Sequence, residues 1–221
     1  MDEFHEIPYS QEVLRKSIHL MSLTIPITYL FITQRIGLSI LIPLTILFII
    51  MDVLSKKRNK AQFFIRLIFG KMLRRHEVEK EYTLNGASWV LISASIGVLI
   101  FPKILFITGF TILILSDISA CLFGRKFGKT PLFDKSWEGT SAFIFVAFLV
   151  VSFIGYITNA PWTFFVFGYI ASFFGGIVEA ASRILKVDDN ISIPISICAL
   201  MWLGELISIN FFNLSYIHIL N

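Results

Sequence analysis

Charge is scarce in this sequence. Only 15% of its 221 residues are Asp, Glu, Lys or Arg, where a soluble domain carries about 25%. That excludes a surface wetted on all sides. Cysteine is nearly absent, and Cys121 and Cys198 both fall in apolar stretches, giving neither a disulfide framework nor a metal-ligand spacing. There is no Walker loop (GxxxxGK followed by Ser or Thr) and no soluble-kinase signature, so the common soluble phosphate-binding designs are excluded. The first ten residues, MDEFHEIPYS, lack the basic region and small-residue cleavage site of a signal peptide. The first apolar segment is therefore expected to stay in the mature protein.

Apolar residues are abundant instead, at 56% of the chain with 23 Phe. Runs near the length of a bilayer crossing follow one another almost without pause. They predict an all-α, polytopic transmembrane bundle of about seven spans, roughly 18–34, 36–54, 84–102, 103–123, 140–158, 162–182 and 191–213. Little chain is left over, so residues 1–221 read as a single integral membrane domain. Trp89, Tyr156 and Trp162 fall near the expected interfaces, as an aromatic belt requires.

Counting Lys and Arg loop by loop puts 17 on one side of these spans and only Arg35 and Lys103 on the other. Short loops rich in Lys and Arg stay in the cytoplasm, which places the N-terminus inside. Within the second loop, AQFFIRLIFGKMLRR (about 61–75) sets Gln62, Arg66, Gly70 and Arg74 on one helical face. It predicts a basic amphipathic helix on the membrane surface, serving as an anchor on anionic headgroups or as a gate for lipid.

Ionisable groups inside spans are costly and usually functional. Asp117 is expected about 9 Å below the cytoplasmic face, Glu179 about 5 Å and Asp52 about 3 Å, at 1.5 Å per helical residue. For Asp52 a pairing with Lys56 explains the charge. For Asp117 the following segment suggests more. From Ser116 to Phe145 the chain reads SDISACLFGRKFGKTPLFDKSWEGTSAFIF, predicting a loop with Gly124, Arg125, Lys126, Gly128, Lys129, Lys135 and Gly139, then a helix from near Ser136–Thr140. Glycines admit an anion close to backbone amides, basic side chains neutralise it, and a helix start adds unpaired amides. Asp117 can hold Mg²⁺ bridging phosphate oxygens. Positive-inside topology explains the basic residues equally well, but neither the glycines nor the intramembrane Asp.

Asp188, Asp189 and Asn190 stand directly before the last span. Asp188 and Asp189 are candidate second metal ligands, and Asn190 or Asp189 the expected cap of a helix starting at Ile191. Arg15 and His19 share a helical face at the same level. Glu205 lies deep in the last span with nothing more evident than an interhelical hydrogen bond.

Taken in order, Arg15-Lys16-x-x-His19, Asp117 with Gly124-Arg125-Lys126-Phe127-Gly128, Lys135-Ser136-Trp137-Glu138-Gly139-Thr140, and Glu179 with Asp188-Asp189-Asn190-x-x-x-Pro194 resemble the membrane family of dolichol kinase, phytol kinase and CTP-dependent diacylglycerol kinases. That resemblance implies transfer of the terminal phosphate of CTP, with Mg²⁺ or another divalent cation, to a lipid alcohol held in the bilayer. The alcohol would be a polyprenol, a phytol-like alcohol or a diacylglycerol. Arg15, Lys16, Gly124, Arg125, Lys126, Gly128, Lys129, Lys135, Ser136, Glu138, Gly139 and Thr140 would bind nucleotide. Asp117 with Asp188 or Asp189 would hold metal, and Glu179 or His19 would serve as base. No nucleic-acid partner is implied, and the sequence does not set an oligomeric state.

LFGRKFGK and KSWEG also resemble the first half of the phosphatidate cytidylyltransferase signature. The second half of that signature has no counterpart in ILKVDDNISIPI, which favours the kinase. A transporter would set its polar site at the midplane on repeated halves, whereas here the polar residues crowd one face.

The charge split has a direct check. In a cysteine-labelling scan, replacements at Lys60 and Lys129 should react with an impermeant thiol reagent from the cytoplasmic side only, and one at Asn221 from outside only. Labelling of both ends from one side would overturn the seven-span topology.

Overall fold

The computed structural model describes residues 9–56, 84–133, 135–185 and 187–220. Among these residues the helices are α1 (Tyr9–Met21), α2 (Thr24–Phe31), α3 (Gln34–Lys56), α4 (Gly86–Ile100), α5 (Lys103–Phe127), α6 (Trp137–Ile157), α7 (Trp162–Leu185) and α8 (Asp189–Phe212). One short antiparallel pair, β1 (Pro131–Leu132) and β2 (Lys135–Ser136), joins α5 to α6. The surface helix expected at 61–75 lies outside the described residues.

Gln34–Leu54, Lys103–Phe127, Trp137–Ile157, Trp162–Ser182 and Asp189–Phe212 are each long and apolar enough to cross a bilayer, and Gly86–Ile100 is a shorter apolar helix. The protein is an all-α membrane protein. The unbroken first span expected at 18–34 is corrected. Helix starts at Tyr9, breaks at Ser22–Leu23 and resumes as the eight-residue α2. Pro26 accounts for the break: it has no N–H, and its ring crowds the carbonyl four residues back, that of Ser22. The two pieces together still run the length of α5. Lys16 meets Asp117 at one end, and the Tyr29 ring packs edge-on against Phe106, 5.4 Å between centroids, at the other.

Helix α5 is the pillar, touching α1, α2, α4, α6 and α8. Ile104, Phe106, Phe110, Leu113 and Ile114 are buried on all its sides, as a helix apolar all round should be. On α3, Ile40, Leu47 and Ile50 remain exposed, a surface suited to lipid.

At the end of the bundle away from Asp117, the tail after α8 folds back on it. Glu205 accepts hydrogen bonds from Ser215 Oγ at 2.5 Å and from the Tyr216 amide at 3.0 Å. The Tyr216 hydroxyl donates to the Met201 carbonyl at 2.5 Å. Glu205 thus binds the returning tail, where an interhelical bond was expected. Pro194 lies inside α8 near its start.

Helices in lipid approach closely only where side chains are small. A Cβ at Gly204 would lie 2.3 Å from Phe167 Cγ. Gly204→Ala should therefore lower the thermal unfolding midpoint in detergent, by overpacking worth about 1–3 kcal/mol. Gly86→Ala, whose Cβ would meet only Asn190 Nδ2 at 3.9 Å, should leave the midpoint unchanged.

Candidate functional site

One end of the bundle collects α1, the close of α5, the hairpin, and the starts of α6 and α8 around the end of α7. Glu12, Arg15, Lys16 and His19 recur at helical spacing, so α1 turns them together toward α5. Lys16 donates to Asp117 Oδ2, and His19 Nε2 lies 3.7 Å from the same oxygen. On β2, Lys135 donates to Glu179 Oε1 and stands 4.0 Å from Asp189 Oδ2. Burial alone would lower the Lys135 ammonium, but Glu179, Asp189 and Asp117 hold it above its ordinary value. It therefore stays charged, as a half-buried cation among carboxylates does.

Sequence reasoning missed Glu12. It is 2% exposed, accepts from Arg15 Nε at 3.1 Å, and lies 3.8 Å from Arg125 and 3.2 Å from Cys121 Sγ. Burial would raise its carboxyl; Arg15, the bonds from Arg15 and Cys121, and Arg125 hold it below the ordinary range. The available signal was its spacing of three and four residues from Arg15 and Lys16.

The segment expected as a glycine-rich loop is partly helix. Gly124, Arg125 and Lys126 form the last turn of α5, which ends at Phe127. In lipid, a backbone that leaves its helix needs other partners, so the helix persists. Basic residues there also complement the helix dipole. Among the described residues no glycine has a positive φ, and the glycines of the motif serve close approach. A Cβ at Gly139 would lie 2.9 Å from the Ala120 carbonyl oxygen and 3.2 Å from Gly124 Cα, and one at Gly128 would lie 2.2 Å from the Gly124 carbonyl oxygen. Lys126 and Lys129 are exposed. Ser136 caps α6, accepting from the Gly139 amide at 3.2 Å. Glu138 ties the hairpin down by accepting from the Thr130 amide at 3.1 Å. Thr140 is buried one turn inside α6.

The cap of α8 is Asp188, accepting from the Asn190 amide at 3.0 Å, and the helix starts at Asp189. This corrects the expectation of a cap at Asn190 or Asp189. Asp52 was expected to pair with Lys56, whose side chain lies outside what is described. Asp52 accepts from the Asn85 amide at 2.6 Å, Asn85 Nδ2 at 3.0 Å and Ser88 Oγ at 3.1 Å, binding α3 to the start of α4. It belongs to the scaffold. Glu179 Oε2, Thr140 Oγ1, Ser116 Oγ and His19 Nε2 are buried without hydrogen-bond partners among the described residues.

No family model and no solved structure matches the chain. It is 32% identical over 192 residues to an uncharacterized protein of Rickettsia prowazekii, across 85% of this chain and 91% of that one. It is 30% identical over 215 residues to the CTP-dependent diacylglycerol kinase 1 of Saccharomyces cerevisiae, across 86% of this chain and 70% of the kinase. With that identity over more than two thirds of the kinase, the chain belongs, as a distant member, to the family of the CTP-dependent diacylglycerol kinase.

Proposed function

We propose that this protein is a lipid kinase that moves the terminal phosphate of CTP onto the hydroxyl of a membrane lipid alcohol. The observation that carries the reading is the paired network Lys16–Asp117 and Lys135–Glu179, buried at the end of the bundle where Arg15 and Arg125 also gather. The relative's name supports CTP as donor and diacylglycerol as acceptor; polyprenols and phytol-like alcohols present the same hydroxyl on an apolar tail. The 17-to-2 split of Lys and Arg supports a site facing the cytoplasm.

Arg125, Lys126 and Lys129 lie where the triphosphate would arrive, with Arg15 beside them. Lys16 and Lys135 place ammonium groups where charge builds on the transferring phosphoryl oxygens. Among the described residues no three His, Cys, Asp or Glu side chains form a ready metal cage. That suits Mg²⁺, which commonly takes one or two carboxylates and completes its shell with water and phosphate. The donors that fit are Asp117, with Asp189 or Asp188; the ion, when bound, neutralises phosphate charge. Glu179 and His19 each keep one buried atom unpaired, but His19 Nε2 lies 3.7 Å from Asp117 Oδ2, the carboxylate assigned to the metal, so Glu179 is the base we favour. As the alcohol oxygen bonds to the terminal phosphorus, its proton passes to Glu179, and the bond to the bridging oxygen breaks to release CDP.

The test is product analysis with detergent-purified protein, CTP or ATP, and a panel of lipid alcohols. CDP and a lipid phosphate are expected. Pyrophosphate released from phosphatidate and CTP would show a cytidylyltransferase instead.

Asp117→Asn keeps size and removes the charge available to a metal. At matched folded concentration and over a Mg²⁺ titration, turnover should fall roughly a thousandfold. Turnover within a fewfold of the parent would remove Asp117 from the chemistry.

A further inference from the structure

A buried hydroxyl or carboxylate oxygen without a partner is uncommon, because each leaves its desolvation uncompensated. Ser116, Thr140 and Glu179 each carry such an atom, and are 0%, 2% and 2% exposed. Helix registers set Thr140 level with Glu179 and Ser116 one turn deeper. A Cβ at Gly176 would lie 2.7 Å from Ile144 Cγ1, and one at Gly175 would lie 3.7 Å from the Phe143 ring. Chain direction reverses between α6 and α7, so one turn toward the site sets Thr140 opposite Glu179. Gly139 lies against Ala120, which sets Ser116 level with Phe143, one turn deeper than Thr140. The other oxygen of Glu179 is taken by Lys135.

The chemistry of this group selects its ligand. A triphosphate offers only acceptors, and an unpaired carboxylate oxygen repels it. A hydroxyl offers one donor and two lone pairs, which match Glu179 Oε2 as acceptor and the Thr140 O–H as donor. Phosphate charge is also costly to bury, and the exposed Lys126 and Lys129 meet it nearer water.

We propose that Thr140 and Glu179, with Ser116 one turn deeper, form the seat of the acceptor alcohol, so that Thr140 belongs to the lipid and not to the nucleotide. The inference rests on the lipid-kinase reading. Thr140 donates to the acceptor oxygen and holds it against Glu179 Oε2. Ser116 donates to a further oxygen of a lipid head that carries one.

The test uses full-length protein in mixed micelles with CTP and dioctanoylglycerol, comparing Thr140→Val, Thr140→Ser and parent. Thr140→Val should raise the KM for the acceptor about three- to tenfold, the worth of one neutral hydrogen bond. The KM for CTP should stay within twofold, and Thr140→Ser should recover most of the loss. Thermal stability without lipid should not fall, because the hydroxyl removed had no partner. A raised KM for CTP, or both KM values unchanged, would overturn the assignment. A second readout does not need turnover: dioctanoylglycerol should raise the unfolding midpoint of the parent, and less so that of Thr140→Val. Equal stabilisation of both, or of neither, would overturn the acceptor seat. A parent that is stabilised but transfers no phosphate from CTP or ATP would instead overturn the kinase reading, leaving a lipid-binding site.

Discussion

A charge inside a low-dielectric bundle must meet an opposite charge or hydrogen-bond donors, and this requirement arranges the working end of the molecule. Asp117 and Glu179 come from helices long and apolar enough to cross a membrane, while their partners Lys16 and Lys135 come from α1 and β2. Removing one member of such a pair exposes the other to a penalty of about 3–5 kcal/mol, against about 1 kcal/mol for a neutral hydrogen bond. The ion pairs therefore fix where α1 and the hairpin sit against the bundle. The same pairs bring cations beside carboxylates, the combination that the proposed phosphoryl transfer would use.

The motif from Gly124 to Thr140 divides into parts with separate physical duties. Gly124 and Gly139 let α5 and α6 touch backbone to backbone. Ser136 and Glu138 spend their oxygens on capping the helix and fastening the hairpin. The cations are left for electrostatics. A short stretch of sequence looks like one phosphate loop because packing, capping and charge all demand special residues within the same seventeen positions.

Much of the fold was legible, because bilayer thickness fixes how long an apolar run must be. The helices α3 and α5 to α8 follow those runs. The break in the first helix was missed although Pro26 stands in plain view; the apolar run continued past it and masked the crowding at Ser22. The helical turn at Gly124–Lys126 was read as loop, since glycine and charge usually mark one in water, but a helix inside a bundle continues until its backbone can find other partners. In the site, the Asp117–Lys16 and Glu179–Lys135 partnerships were not legible at all. They join residues 101 and 44 positions apart, and only tertiary packing selects among the many available cations. Glu12 was not singled out, although its spacing from Arg15 is a local signal.

Helix α8 is fixed unequally at its two ends. Glu205 and Tyr216 clamp it to the returning tail, whereas Pro194 leaves the Asn190 carbonyl without its helical donor. The helix is thus a rod gripped at one end with a compliant joint just beneath the other. Asp188 and Asp189 ride on the compliant segment, so small rotations about that joint can shift the two carboxylates while the rest of the helix stays in register.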